Sequence, residues 1–308
     1  MTNAILTTDA CAVVKKKEKV YVTTLKRLLK NKLAVVGMII ILLQIGMAIF
    51  APIITTQDPI KQNLISSELP MFSEGHWLGT DNYGRDVWTR IVYGARISLL
   101  VGITAVSLGL IGGVTLGLLG GYYKKLDGII MRIVDLLFSF PGILLAMLII
   151  AVLGTSLVNV AIAISIWSIP TCARIVRGSV LAIKQKEYIM AMKSLGASDF
   201  RIMIRHILPN AFAPIIVFAT MRMATAILST ASLSYLGLGA QPPTPEWGAM
   251  IAQGQDYMWT SPHLTIVPGI AIMLTVFAFN VVGDGLRDAL DPNMDIQLTT
   301  KSVIQARL

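Results

Sequence analysis

Two charged side chains sit inside long apolar runs of this 308-residue chain: Arg222, in FAPIIVFATMRMATAILSTA, and Asp135, in IVDLLF. A charge at the bilayer centre costs roughly 2.5 to 3.5 kcal/mol on insertion scales, so neither side chain should face lipid. Two kinds of chemistry suit them. They could form a buried ion pair, or Arg222 could offer its guanidinium to a carboxylate travelling through the protein. Reactive chemistry has no comparable signal. The chain lacks GxxxxGK[ST], HExxH, GxSxG and CxxC, and His76, His206 and His263 fall in three separate loops. The 15 methionines have no His or Cys cluster beside them, so they read as core and pore lining rather than ligands. Cys11 and Cys172 are too far apart in topology to form a disulfide framework. No catalytic group, metal site or cofactor of its own is expected.

The elements that must position these charges are membrane helices. The chain is 55% hydrophobic and 14% charged, with a mean hydropathy of +0.70, well beyond a soluble domain of this size. Crossing about 30 Å of hydrocarbon takes about 20 helical residues. Six runs approach that length, at 33–54, 97–122, 133–153, 157–176, 211–236 and 264–282. The fourth has a largely apolar core of only 13 residues before Pro170, so it must continue through a kink toward Arg174 and Arg177. On these spans Arg222 lies about 16 Å inside the fifth and Asp135 close to one end of the third. A pair between them is the first candidate for a partner of Arg222. The first run is longer than a signal-peptide core and follows 32 residues rich in lysine, so it reads as a retained anchor.

A net charge of +9 could suggest nucleic acid, but the distribution of the 26 Lys and Arg argues for topology instead. Eight precede the first span, three lie at 122–132, seven at 174–205 and three in the tail, whereas 237–263 has none and 55–96 has four. The face shared by both termini thus holds 21 of the 26, which makes it cytoplasmic by the positive-inside rule.

On that face lies EYIMAMKSLGASDFRIMIRHILPN, Glu187 to Asn210, a charged helix-turn-helix in an otherwise apolar protein. Ala191, Leu195 and Ala197 give its first half small or apolar side chains, Gly196 permits a left-handed turn, and Ser198 or Asp199 can cap a second helix expected to end at Pro209. The pattern of Ala191, Gly196 and Leu208-Pro209 resembles the EAA loop of ABC-importer permease subunits. It departs from that motif at Met190, Met192 and His206, which leaves the turn intact. The resemblance implies that Ala191, Met192, Leu195, Gly196, Ala197 and Ser198 couple the chain to an ATPase. An ordinary amphipathic loop is the alternative.

Three further features belong to the same picture. Gly109, Gly113, Gly117 and Gly121 recur every four residues and form one helix face that lets another backbone approach. WLGTD…GRD…GAR, from Trp77, is expected to form a short interfacial helix from Asp81 onward, with Asp81–Arg85 and Asp86–Arg90 pairs and Trp77 and Trp88 at headgroup level. The segment 237–263, with four prolines and two tryptophans, should fold as a cap over the outer mouth. WLGTD…GRD…GAR, QPPTPEWGAM and GDGLRDALDP resemble the second permease subunit of dipeptide, oligopeptide and nickel importers, from about residue 28 to 292, with wording nearest to dipeptide and glutathione permeases.

These readings imply an all-α polytopic protein of the type I ABC importer permease fold with six transmembrane helices and both termini cytoplasmic. Its parts would be an N-terminal arm 1–32, the first helix 33–54, an outer loop 55–96, a permease core 97–284 with coupling loop 184–210 and cap 237–263, and a tail 285–308. The resemblance implies a homologous second permease, two cytoplasmic ATP-binding subunits holding ATP and Mg, and an extracellular or periplasmic substrate-binding protein, in a bacterial inner membrane. No nucleic-acid partner is expected. An ion-gradient-driven secondary transporter is the competing reading. It would favour midplane acidic residues and broken helices in two similar halves. An intramembrane enzyme would need a catalytic pair that the sequence lacks.

Overall fold

The structure, a computed structural model, describes residues 20–291. The basic arm before residue 20, with Cys11, and the segment from 292 lie outside the described residues. Helices dominate the rest: α1 (Val20–Lys30), α2 (Lys32–Ile54), α3 (Val87–Tyr122), α4 (Lys124–Phe138), α5 (Gly142–Leu153), α6 (Leu157–Lys184), α7 (Glu187–Ser194), α8 (Asp199–Tyr235), α9 (Trp247–Gly254) and α10 (His263–Leu290). Among the described residues the only β pairing is two isolated bridges in the 55–86 loop. Among the described residues five helices are long and apolar enough to cross a membrane, and α4 with α5 makes a sixth if the bent pair counts as one span.

Helix starts follow local chemistry. Asn31 accepts from the Leu33 and Ala34 amides at the head of α2, Asp86 from Thr89 at the head of α3, and Ser156 from Asn159 at the head of α6. Each satisfies backbone donors that the first turn would otherwise leave unpaired. As expected, α6 runs on through Pro170 to Lys184.

Four boundaries differ from the sequence reading. The second span does not start at Ile97, and no separate interfacial helix precedes it. The chain turns through Asp81–Asp86 and then forms one 36-residue helix from Val87. The third span is broken, with α4 and α5 meeting at 91° across Ser139–Pro141. Pro141 removes an amide and pushes Phe140 out of helical conformation, so the break has a local cause. The helix after the turn at Gly196 does not stop at Pro209. It passes through a π-helical segment, Met203–Ile207, and a 3-10 turn, Leu208–Ala211, which re-register the backbone around the proline's missing amide. The sixth helix extends to Leu290 rather than 282.

Among the described residues the α3–α6 interface is the most extensive helix pairing. Gly113 faces Cys172, with space for a Cβ only 2.7 Å from Sγ; Gly117 faces Val176 at 2.7 Å and Gly121 faces Val180 at 2.7 Å. Gly109 likewise faces Ser168. The four-residue glycine row therefore meets a four-residue row on α6, which is close backbone packing rather than chemistry. The main core gathers α3, α6, α8, α9 and α10 around Trp247, whose indole N–H donates to the Ile91 carbonyl at 3.1 Å. Large apolar side chains such as Leu42, Ile53, Ile111 and Leu148 stay exposed along the outer helix faces, as lipid or a partner helix would require.

Candidate coupling loop and membrane cavity

The loop at the end of α6 folds as a two-faced unit. α7 closes with paired bonds from the Ala197 amide to the Met192 carbonyl and from the Gly196 amide to the Lys193 carbonyl, while Gly196 sits at φ +80°. That is the left-handed helix closure a glycine accommodates without strain. Ser198 then accepts from the Arg201 amide to start α8. Asp199 instead accepts from the Tyr122 hydroxyl at 2.6 Å, tying the start of α8 to the end of α3. Lys184 donates to the Tyr122 carbonyl at 2.5 Å and completes the junction.

Ile189, Ile202, Met203 and Ile207 are buried against Leu118, Val176, Val180 and Ile183 from α3 and α6. On the opposite face Leu195 is 87% exposed and Phe200 70% exposed, with Met190 also exposed. Ala191, Gly196 and Ser198 share that exposed side, and Met192 and Ala197 are half-buried. Phe200 and Tyr122 were not singled out in the sequence. The only signal for Phe200 was a large aromatic placed just after a cap in a charged segment.

Arg222 and Asp135 do not meet. Asp135 accepts from Arg174 at 2.6 Å on an exposed surface, where Arg174 also lies over the Phe138 ring. Arg222 stacks on Trp167, its Cζ 4.5 Å from the ring centroid. Its Nε and Nη2 are buried and have no hydrogen-bond partner. The expected pair fails because α4 turns away at Pro141, placing Asp135 beside the α6 cations. Arg222 instead lines a cavity of about 680 Å³ between α6, α8 and the end of α10, with Pro214, Phe218 and Met221 as apolar walls and Arg287 and Asp291 at its rim.

At the other end of the bundle, the WLGTD and GRD residues form a buried clamp. Arg85 bonds Asp81 at 2.7 Å and Gln253 at 2.9 Å, and Arg90 donates to the carbonyls of Pro59 and Pro243. The expected Asp86–Arg90 pair is replaced, since Asp86 caps α3 and contacts His76 at 3.0 Å. Trp77 stays exposed and stacks loosely on Trp88. These charges knit the 55–86 loop to the 237–263 segment. Among the described residues no group of three His, Cys, Asp or Glu is arranged to hold a metal ion.

Glu246, in the same cap, heads α9 and is fully buried. Burial raises its carboxyl above the ordinary carboxylate range, against the bonds from the Ala249 and Gly248 amides and the Ser234 and Ser98 hydroxyls that pull it down. A carboxyl raised on folding stabilises most below its unfolded pKa, and that contribution is lost as pH rises through the folded value. The melting temperature of the purified protein in detergent should therefore decline from about pH 4.5 upward, less steeply in Glu246→Gln. Parallel profiles for the two proteins would contradict this.

Comparison with known proteins places this architecture in context. Residues 113–296 match the family described as binding-protein-dependent transport system inner membrane component, and residues 22–70 match the N-terminal TM domain of oligopeptide transport permease C. A dipeptide transport system permease protein from Alkalihalophilus pseudofirmus is 52% identical over 270 residues, covering 87% of this chain and 88% of that one. A glutathione transport system permease protein from Pectobacterium atrosepticum is 49% identical over 274 residues, 87% and 90% of the two chains. Among solved structures, a chain of the MetNI methionine ABC transporter in inward-facing conformations superposes with a TM-score of 0.56 at 20% identity, covering 67% of this chain and 98% of that one. That likeness shows a shared fold.

Proposed function

This chain belongs to the binding-protein-dependent transport system inner membrane components, a multi-pass inner-membrane family, and from that premise we propose that it is one permease of an ATP-driven importer for dipeptides, oligopeptides or a peptide-like solute such as glutathione. The proposal extends to the assembly: a homologous second permease completes the pathway, two cytoplasmic ATPases bind ATP and Mg, and a binding protein delivers solute from outside. The basic face, with the termini and the 184–210 loop, is the cytoplasmic one. The ion-gradient alternative gains no support from these relatives.

The observation that carries the reading is the two-faced loop. Its inner residues are packed onto the ends of α3, α6 and α8, while Leu195 and Phe200 project outward with nothing among the described residues to cover them. Exposed apolar side chains on a charged loop are costly unless a partner receives them. A groove on an ATPase that grips Ala191, Leu195 and Phe200 would move the loop when it closes, and the Tyr122–Asp199 bond and the apolar cluster that holds Ile189 and Ile202 with α3 and α6 would pass that movement to the spans. The chain transmits force and performs no reaction itself. Purification of the tagged chain in mild detergent tests this directly. Stoichiometric ATP-binding subunits and a second permease are expected. A lone homo-oligomer would contradict the proposal.

A further inference from the structure

Among the described residues, Arg222 alone leaves two buried side-chain nitrogens without a hydrogen-bond partner. The two are Nε and Nη2, the adjacent donors on one edge of the guanidinium. Elsewhere in this chain Arg177 uses the same two atoms to hold Asp127, at 2.5 and 2.7 Å. Such an edge matches the two oxygens of a carboxylate. The Trp167 ring lies against the guanidinium face, so it steadies the group without consuming in-plane donors. Trp167 is itself fixed at the α4–α5 break, where a Cβ on Gly142 would collide with its ring.

We propose that Arg222 is the carboxylate-binding residue of the solute pathway, taking the free carboxylate of a small peptide or peptide-like solute; this deepens the import reading above and rests on it. The cavity of about 680 Å³ is the right size, since small-molecule sites fall at about 300–1,000 Å³. Its walls at Pro214, Phe218 and Met221 are apolar, which lowers the local dielectric beside Arg222 and strengthens a charge-assisted bond once the guanidinium edge turns to a solute. The cavity reaches from Arg222, deep in α8, to Arg287 and Asp291 at the end of α10, so a bound solute lies on a route to the face that carries the coupling loop.

The test uses the whole assembly with its binding protein in vesicles, and radiolabelled Gly-Leu and glutathione as probes. Arg222→Gln is expected to lower uptake roughly tenfold or more, with the assembled complex recovered in normal amount. Arg222→Lys, which keeps the charge and loses the fork, should fall between the two. Uptake by Arg222→Gln within about twofold of wild type overturns the proposal. If Arg222→Gln fails to assemble, Arg222→Met decides: restored assembly with full uptake assigns a structural role and overturns it, and restored assembly without uptake supports it. A phosphatidylglycerol molecule retained by the wild-type assembly in native mass spectrometry and lost from Arg222→Gln would assign the fork to a lipid headgroup, also overturning it. Wild-type assemblies that take up neither probe would instead contradict the import reading, and this inference would fall with it.

Discussion

Gly196→Val is expected to reduce transport by about tenfold or more while the protein still reaches the membrane in normal amount. The reason is the backbone and not space. Residue 196 sits at φ +80°, and a Cβ built there meets nothing within 4 Å. A β-branched residue resists that conformation strongly, at a cost of about 1–3 kcal/mol. The closure of α7 would then open, and Leu195 would no longer hold its place relative to Phe200. Asparagine tolerates the left-handed region far better. Gly196→Asn should therefore retain most transport although its side chain is as large as valine's. Equal activity of the valine and wild-type proteins, or equal loss in both variants, would contradict a role for the turn itself.

Gly113→Leu should have the largest effect on stability, with protein accumulation falling several-fold. A Cβ at residue 113 would stand 2.7 Å from Cys172 Sγ and 3.1 Å from the Ile169 carbonyl, and only part of that obstacle is a movable side chain. Overpacking a close helix interface costs typically about 1–3 kcal/mol, and three more glycines in register prevent α3 from simply sliding. Gly178→Leu on α6, where a Cβ meets nothing within 4 Å, is the matched control and should accumulate normally. Gly113→Ala combined with Cys172→Gly should recover part of the loss by returning volume to the same seam. Similar accumulation of Gly113→Leu and Gly178→Leu in membranes would count against the packing role of the seam.

Much of this architecture was legible where a local rule acts alone. The glycine row needed only helical periodicity, the turn at Gly196 needed only its missing Cβ, and the passage of α6 through Pro170 followed from the length a span requires. What escaped the sequence depends on groups far apart in the chain. Arg90 lies at the start of a membrane-length helix because the Pro59 and Pro243 carbonyls receive its protons, and no local pattern announces that. Hydropathy joined residues 133–153 into one span, although Ser139-Phe140-Pro141-Gly142 carried a break signal. The same bend leaves Asp135 beside Arg174 rather than Arg222. Pro209 misled in the opposite direction, since a π-helical turn absorbed it. Phe200 had no period to mark it, because its significance lies in what does not cover it.

Uptake by the reconstituted assembly tests the central claim most directly. Vesicles containing the chain, its second permease and its ATPases, with binding protein and labelled Gly-Leu or glutathione on the outer face, should accumulate solute only when ATP and Mg are supplied on the coupling-loop face, and dissipating proton and sodium gradients should leave the rate unchanged. Accumulation driven by an ion gradient without ATP would contradict the account.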